Sequence, residues 1–304
     1  MTGQDPSTID GEFALLRENA DEVGVPGDAL PTVRRTTTTT ASGRVSALRW
    51  GEGPPRVVFL HGGGQNAHTW DTVVLGLGLP ALAVDLPGHG HSDWREDRDY
   101  SPGTNAATVA AALAAESVSG LPVVGMSLGG LTAIALAAHF PGTASRLVVV
   151  DVTPSVLARV EGMTDAQRGT TALVGGPDTF DDLETMVAAA TATAPQRSPA
   201  SVRRGVVHNS RQLPDGRWAW RYDRPRAMAP DSFARLWDDV AATPVPMTLI
   251  RGGESAFVGD EDVAEFRRRR PGLTVEVVDG AGHSVQSDRP RELTALLRTA
   301  LAPG

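Results

Sequence analysis

Short apolar runs recur along the chain, and polar or turn-forming residues bound each of them. The run Arg56–Leu60, for example, lies between Pro54-Pro55 and Gly62-Gly63-Gly64. A continuous apolar run of this length is typical of a strand that is buried on both faces. The same pattern predicts further strands at Ala81–Val84, Leu121–Val124, Leu147–Val150, Met247–Ile250 and Val275–Val278.

Helical patterns lie between or after most of these runs. Strands that alternate with helices indicate an α/β fold, in which right-handed crossovers build a parallel sheet covered on both faces. The predicted helices are Ala67–Gly76, Thr104–Glu116, Leu128–His139, Asp262–Arg270 and Arg289–Leu301.

The alternation breaks between Thr153 and Thr243, where helix-like segments occur without a convincing buried strand. We therefore expect a helical cap over residues 154–242, and its helices are predicted at Asp165–Leu173, Asp181–Ala190 and Ser232–Ala241. Residues 36–153 and 243–304 form the expected α/β core, which opens with an antiparallel strand pair over Thr36–Ala47 and a turn at Gly43. Residues 1–35 read as an N-terminal extension with one short helix around Gly11–Ala20.

A hairpin is predicted within the cap. Leu213–Tyr222 combines a turn with Trp218 and Trp220, two aromatic residues at a spacing of two. We expect this hairpin to pack the cap onto the sheet edge rather than to touch substrate.

Composition narrows the possible chemistry. The net charge of −8 argues against a nucleic-acid partner. The chain has no cysteine, and all 28 basic residues are arginine, which excludes thiolate, disulfide and lysine chemistry. Acidic residues precede Arg17, so we expect no secretory signal. We expect a cytoplasmic location. The uncharged stretch Gly120–Ala138 is interrupted by proline and glycine, so we expect no membrane span.

The strongest motif is Gly125-Met126-Ser127-Leu128-Gly129, which directly follows one predicted strand and directly precedes a helix. A G-x-S-x-G pentapeptide in this strand–turn–helix context is typical of a nucleophile elbow. The sharp turn crowds the backbone on both sides of the serine, so glycine is needed there while the Ser127 hydroxyl projects above the sheet. This motif makes Ser127 the candidate nucleophile.

A glycine-rich loop, His61-Gly62-Gly63-Gly64, follows the strand Arg56–Leu60. Backbone N–H groups in such a loop can stabilise the negative charge that develops on a carbonyl oxygen during acyl transfer. We expect the N–H groups of Gly63 and Leu128 to form an oxyanion hole, with Gly64 as a possible contributor.

The candidate base is His283, in Gly280-Ala281-Gly282-His283. Of the seven histidines it alone follows a late strand, after the nucleophile in chain order. An imidazole at this place supplies a base suited to neutral pH.

Together with Asp85–Asp93 and Asp279, these motifs resemble those of the α/β-hydrolase family over about residues 36–303. The resemblance implies an eight-stranded, mostly parallel sheet, a helical cap after the sixth strand, and a triad of serine, acid and histidine with no metal or cofactor. His89 and His91 have the spacing of a metal pair, but the resemblance favours a structural loop at the pocket mouth.

The acid departs from the commoner family pattern, which places Asp in a Gly-x-x-Asp turn after the seventh strand. Here the corresponding position is Ser255, whose neutral hydroxyl cannot stabilise an imidazolium. Glu254 and Asp260 are nearby alternatives, but we favour Asp151 at the end of the sixth strand, as in a minority of the family. Another possibility is that Asp151 caps the entry to the cap through Thr153.

These residues predict a serine hydrolase that cleaves a hydrophobic carboxylic ester or lactone through an acyl-enzyme. The same triad would also serve a carbon–carbon bond hydrolase or a cofactor-free perhydrolase, and a non-catalytic small-molecule receptor of the same fold is a further alternative. The expected substrate-binding residues are apolar or aromatic side chains beside the motifs: Trp70, Trp94, Met126, Phe257 and Val258.

Overall fold

The structure, a computed structural model, describes residues 11–225 and 233–302. The first ten residues of the predicted N-terminal extension and Ser232 lie outside this range. Eight strands form the main sheet in the order β1-β2-β4-β3-β5-β6-β10-β11. Strand β2 runs antiparallel to both of its neighbours, β1 and β4, and all the other neighbouring pairs are parallel, so the predicted eight-stranded, mostly parallel α/β sheet is confirmed.

Six strands of this sheet match the apolar runs, and the inner runs are mostly buried on both faces, whereas the edge strand β11 is partly exposed, with Val277 44% exposed. Val57–Leu60 and Ala81–Val84, for instance, are buried at every position. The strand bounds are β1 Val33–Thr40, β2 Gly43–Trp50, β3 Val57–Leu60, β4 Ala81–Val84, β5 Leu121–Met126, β6 Ala144–Val150, β10 Met247–Gly252 and β11 Thr274–Val278.

Helices cover both faces of the sheet, and an apolar core lies on each face. One core lies around Leu131, Ile134 and Phe266, and the other around Trp50, Phe59 and Trp70. The helices outside the region between β6 and β10 are α1 Leu16–Val23, α2 Asp71–Leu77, α3 Pro102–Ala115, α4 Leu128–His139, α10 Asp260–Arg269, α11 Val285–Asp288 and α12 Pro290–Ala300. None of the helices in the described ranges has the length and hydropathy required to cross a membrane.

The segment between β6 and β10, here called the cap, differs from the sequence prediction in one respect. It contains a small antiparallel sheet of β7 Thr179–Phe180, β8 Ser210–Gln212 and β9 Trp218–Trp220, in the order β7-β9-β8. The sequence predicts the hairpin that contains β9, but β7 is only two residues long and too short for a periodic pattern to reveal. The cap helices are α5 Val156–Glu161, α6 Asp165–Arg168, α7 Leu183–Thr193, α8 Pro199–His208 and α9 Leu236–Ala242.

The predicted hairpin exists, but its packing differs from the expectation. Phe180 pairs with Trp218 across the small sheet, and Trp220 packs edge-on against Phe180 within a separate apolar cluster of the cap. The hairpin therefore stabilises the interior of the cap rather than joining the edge of the main sheet.

Candidate active site

Ser127 stands in the turn between β5 and α4 with a backbone conformation that few non-glycine residues adopt, φ 51° and ψ −120°. Backbone atoms of neighbouring segments lie very close to the glycines on either side of Ser127. A Cβ atom on Gly129 would lie 2.2 Å from the carbonyl oxygen of Leu60, and one on Gly125 would lie 2.3 Å from that of Gly129. Both glycines are therefore required for the turn that exposes the Ser127 side chain.

Ser127, His283 and Asp151 form one hydrogen-bonded row although they come from three separate parts of the chain. The hydroxyl of Ser127 lies 3.0 Å from His283 Nε2, and His283 Nδ1 lies 2.8 Å from Asp151 Oδ2. A carboxylate can only accept here, so Nδ1 carries the proton and Nε2 is free to accept the proton of the serine. The row has the arrangement of a nucleophile, a base and an orienting acid.

Asp151 follows the last residue of β6 and, like Ser127, has a positive φ, 52°. Its side chain is fully buried and points to the neighbouring strand β10, where the N–H of Gly252 donates to Oδ1 at 2.9 Å. The hydroxyl of Ser255 donates to Oδ2 at 2.5 Å. Thr153 instead accepts from the N–H of Ser155, 3.3 Å away.

The two rival acids lie elsewhere. Glu254 is exposed, and the side chain of Asp260 is 91% exposed and paired with Arg251 at 2.7 Å. Asp151 is the carboxylate that the structure places against His283.

His61 fixes the glycine-rich loop after β3. Its Nε2 accepts from the N–H of Leu86 at 2.9 Å, so its Nδ1–H donates to the carbonyl oxygen of Gly62 at 2.8 Å. Burial, reinforced by the nearby His89, lowers the pKa of His61 to about 3 and keeps the ring neutral. In a planar trans peptide the N–H of Gly63 points away from the Gly62 carbonyl, and thus away from His61.

Gly64 is a correction to the expected oxyanion donors. Its N–H donates to His89 Nε2 at 3.1 Å, and its carbonyl accepts from Asn209 Nδ2 at 2.5 Å. Because both backbone groups of Gly64 are occupied, Gly64 has no free N–H to offer. Leu128 is the first residue of α4, where N–H groups have no acceptor within the helix.

Two of the expected substrate-binding residues, Trp70 and Trp94, lie outside the candidate pocket. Trp70 is fully buried against Phe59, with ring centroids 4.9 Å apart, because its position at the start of α2 faces the core. Trp94 is 46% exposed under the guanidinium of Arg211. These tryptophans do not line the cavity beside the glycine-rich loop, and expecting them in the pocket was wrong.

The other three expected residues are buried next to the site. Met126 lies beneath Gly62, where its sulfur would be 2.6 Å from an added Cβ, and Val258 packs in the core. The ring of Phe257 stacks on His283, with centroids 3.4 Å apart and planes within 10°. Phe257 thus contacts the candidate base rather than the cavity.

A cavity of about 130 Å³ adjoins the glycine-rich loop and lies between it and the cap. Gly63 and Gly64 line one side, and Trp220 and Tyr222 line the other. The sequence does contain the signal for these aromatic residues, since they stand at a spacing of two in the predicted hairpin. Trp220 and Tyr222 therefore line the cavity in addition to packing within the cap. Apolar, polar and charged side chains all contribute to the wall, among them Leu173, Val206, Asn66, Asn209, Glu22, Arg197 and Arg204.

His68, Asp71 and His208 are the one group of potential metal ligands within residues 11–225 and 233–302. Both ring nitrogens of His68 already face carboxylates, Asp71 at 2.9 Å and Glu12 at 3.1 Å. Burial alone would lower the pKa of His68, but the charge and hydrogen bond of Asp71, with the hydrogen bond of Glu12, raise it to about 9. The group is therefore a buried ion network around an imidazolium, on which His208 stacks at 3.8 Å.

Comparison with known proteins places this geometry in context. A sequence profile described as the Alpha/beta hydrolase family matches residues 57–296. The chain is 54% identical to Esterase Rv0045c of Mycobacterium tuberculosis, over 99% of both chains, and 31% identical to Lipase LipV of the same organism, over 83% of this chain and 95% of the relative. A crystal structure of the same esterase Rv0045c superimposes with a TM-score of 0.85 and 51% identity, covering 99% of each chain.

Proposed function

This chain belongs to the α/β-hydrolase family and is a serine ester hydrolase, and we propose that Ser127, His283 and Asp151 are its catalytic triad. The observation that carries this assignment is the row of two hydrogen bonds, 3.0 Å and 2.8 Å, from Ser127 through His283 to the buried Asp151. The esterase and lipase names of the relatives favour ester hydrolysis over carbon–carbon bond cleavage, perhydrolysis or a receptor role.

In the first half of the reaction, Ser127 Oγ attacks the carbonyl carbon of the ester while His283 Nε2 takes the hydroxyl proton. The carbonyl oxygen becomes an oxyanion, which the N–H groups of Gly63 and Leu128 stabilise. Asp151 stabilises the imidazolium of His283. When the intermediate collapses, the carbon–oxygen bond to the leaving group breaks, and His283 returns its proton to the departing alcohol.

Water then enters and hydrolyses the acyl-enzyme. His283 Nε2 removes a proton from water as its oxygen attacks the acyl carbon, and the same two N–H groups stabilise the second oxyanion. Collapse releases the carboxylic acid, and the proton returns from His283 to Ser127 Oγ. Every step uses side-chain and backbone groups of this chain.

The cavity has Gly63 in its wall but neither Ser127 nor His283, so we propose it as the space for a group attached to the ester carbonyl and not for the reacting atoms themselves. A space of roughly 150 Å³ accommodates benzene, so a cavity of about 130 Å³ suits a substituent of up to six or so non-hydrogen atoms. Trp220 and Leu173 give it apolar walls, while Asn66 and Asn209 provide polar groups. We therefore propose a carboxylic ester or a lactone with a short apolar group next to the carbonyl.

A fluorophosphonate probe combined with an ester panel tests this function. The wild type should be labelled at a single serine, found by peptide mass spectrometry to be Ser127, and it should hydrolyse p-nitrophenyl esters of short acids fastest. Ser127→Ala should take no label and hydrolyse no ester. Labelling at a different serine would contradict the nucleophile, and a strong preference for charged or long-chain substrates would contradict the substrate proposal.

A further inference from the structure

Ser255 occupies the loop position, after β10, at which the resemblance to the family implies an acid. The chain instead carries its buried carboxylate on the neighbouring strand, at Asp151. The two side chains are in direct contact, because the Ser255 hydroxyl lies 2.5 Å from Asp151 Oδ2. Serine at this position is therefore part of the site.

The direction of the Ser255 proton follows from its neighbours. The N–H of Phe257 donates to Ser255 Oγ at 3.2 Å, which occupies a lone pair of that oxygen. Asp151 as a carboxylate can only accept, so the hydroxyl proton points to Oδ2. The same Oδ2 also accepts from His283 Nδ1, 2.8 Å away.

Asp151 consequently has three donors, two from the end of β10 and the loop after it and one from His283. Gly252 binds Oδ1, while Ser255 and His283 share Oδ2. A fully buried carboxylate with donors on both oxygens has a single favourable orientation, and losing one donor leaves a charged group incompletely paired. The hydroxyl fixes the plane of the carboxylate so that Oδ2 stays against the imidazole.

We infer that Ser255 is a positioning residue for Asp151, and this inference rests on the proposed triad. The same loop also supports the base, because the ring of Phe257 lies flat on His283. The loop that holds the acid in relatives thus holds the acid and the base in place here.

Removing the hydroxyl tests the inference. Ser255→Ala should lower kcat about tenfold, equivalent to about 1.4 kcal/mol at 25 °C, with KM little changed, because orientation of the acid matters when His283 becomes charged. Ser255→Thr keeps the hydroxyl and should restore most of the rate. The downfield proton resonance of His283 Nδ1–H should move in Ser255→Ala and return in Ser255→Thr. Glu254→Gln, an exposed change on the same loop, is the matched control and should leave rate and resonance unchanged.

A transfer of the acid gives a second test that does not depend on how Ser255→Ala folds. The double variant Asp151→Asn/Ser255→Asp carries the carboxylate on the loop after β10, as relatives do. We expect it to be at least tenfold faster than Asp151→Asn alone, with thermal denaturation checked in both.

The outcomes separate this inference from the proposed function. Wild-type kcat and an unmoved resonance in Ser255→Ala, beside a collapsed Asp151→Asn, would overturn the positioning role and leave the triad intact. An active Asp151→Asn would overturn the triad, and with it the premise of this inference. A double variant no faster than Asp151→Asn would also count against Ser255 as the equivalent position.

Discussion

The side-chain amide of Asn209 donates a hydrogen bond of 2.5 Å to the carbonyl oxygen of Gly64, so the end of a cap helix binds the glycine-rich loop. The contact is part of a larger junction. Asn66, two residues beyond Gly64, donates from Nδ2 to the carbonyl of His208 at 2.9 Å and to Asn209 Oδ1 at 3.2 Å. From the other side, His89 accepts the Gly64 N–H. Gly64 is held by the cap and the core together, and it fixes the loop in which Gly63 presents its N–H.

We therefore predict that Asn209→Ala lowers kcat for short esters by about fivefold, since one hydrogen bond to the loop is worth roughly 1 kcal/mol and the loop must be rigid to stabilise charge. Asn209→Asp has nearly the same shape without the donor, so it should lose activity to a similar extent. Steady-state kinetics of both variants test this prediction, and thermal denaturation shows whether they are folded. Unchanged kcat in both would show that the cap contact does not position the loop.

The two tryptophans of the cap hairpin should have different roles, Trp220 in substrate preference and Trp218 in the stability of the cap. Trp220 lines the cavity, so Trp220→Ala enlarges it and should shift the preference of kcat/KM towards esters with longer acyl chains. Trp218 packs in the cap cluster outside the cavity wall, so Trp218→Ala should lower stability by roughly 2 kcal/mol with the preference unchanged. Chain-length profiles and chemical denaturation of the two variants supply the comparison. A changed profile in Trp218→Ala at normal stability would contradict this division.

The buried His68 network should make folding stability depend on alkaline pH. The pKa of His68 rises from its ordinary 6.5 to about 9 because of Asp71 and Glu12, against the effect of burial. A raised pKa means that the folded state binds the proton more tightly, so this contribution is complete below pH 6.5 and is lost as pH rises through about 9. The shift corresponds to up to about 3 kcal/mol.

Urea denaturation at pH values from 6 to 10 measures this effect. The free energy of unfolding of the wild type should fall across the window, whereas His68→Gln, which cannot be charged, should show a flatter dependence and a lower value at pH 6. Parallel curves for the two proteins would mean that His68 is not the group responsible.

The turn around Ser127 depends on glycine at two places, and Gly129 provides the test. An added Cβ on Gly129 would meet backbone, the Leu60 carbonyl, which cannot move aside as a side chain could. We expect Gly129→Ala to destabilise the fold by several kcal/mol or prevent it from forming. Gly103, near the start of α3, has open space around an added Cβ, so Gly103→Ala should be neutral or slightly stabilising. Melting temperatures of the two proteins test this, and equal values would refute the crowding argument.

The sequence could predict the elements that present the site but not the contacts that hold it. Ser127, Asp151 and His283 each stand at the end of an apolar run, and the ends of parallel strands meet at one edge of the sheet. The hydrogen-bond partners of Gly64 are His89 and Asn209, which lie 25 and 145 residues away in sequence. No local sequence pattern connects these residues.

The pocket shows the same limit. Trp70 and Trp94 are close in sequence to motifs that carry chemistry, yet one faces the core and the other faces solvent. The residues that do line the cavity come mostly from the glycine-rich loop, helix α1 and the cap, and the spacing of two that predicts the cap hairpin does not show which of its side chains face the cavity. Side-chain direction over such short elements is set by tertiary packing, and packing is not visible in a single sequence.

The acid at the tip of β6 is the feature on which the account depends most. Replacing Asp151 by Asn keeps the shape of the side chain while removing the charge that stabilises the His283 imidazolium, and in a comparable triad such a change costs about four orders of magnitude in kcat. The decisive measurement is kcat on a short p-nitrophenyl ester for Asp151→Asn, Glu254→Gln and Asp260→Asn, with thermal denaturation as a control for folding. We predict a collapse of turnover in Asp151→Asn at near-normal melting temperature, and changes of less than about twofold in the other two. Near-normal turnover in Asp151→Asn, with collapse in either of the others, would move the acid to the loop after β10 and contradict the account.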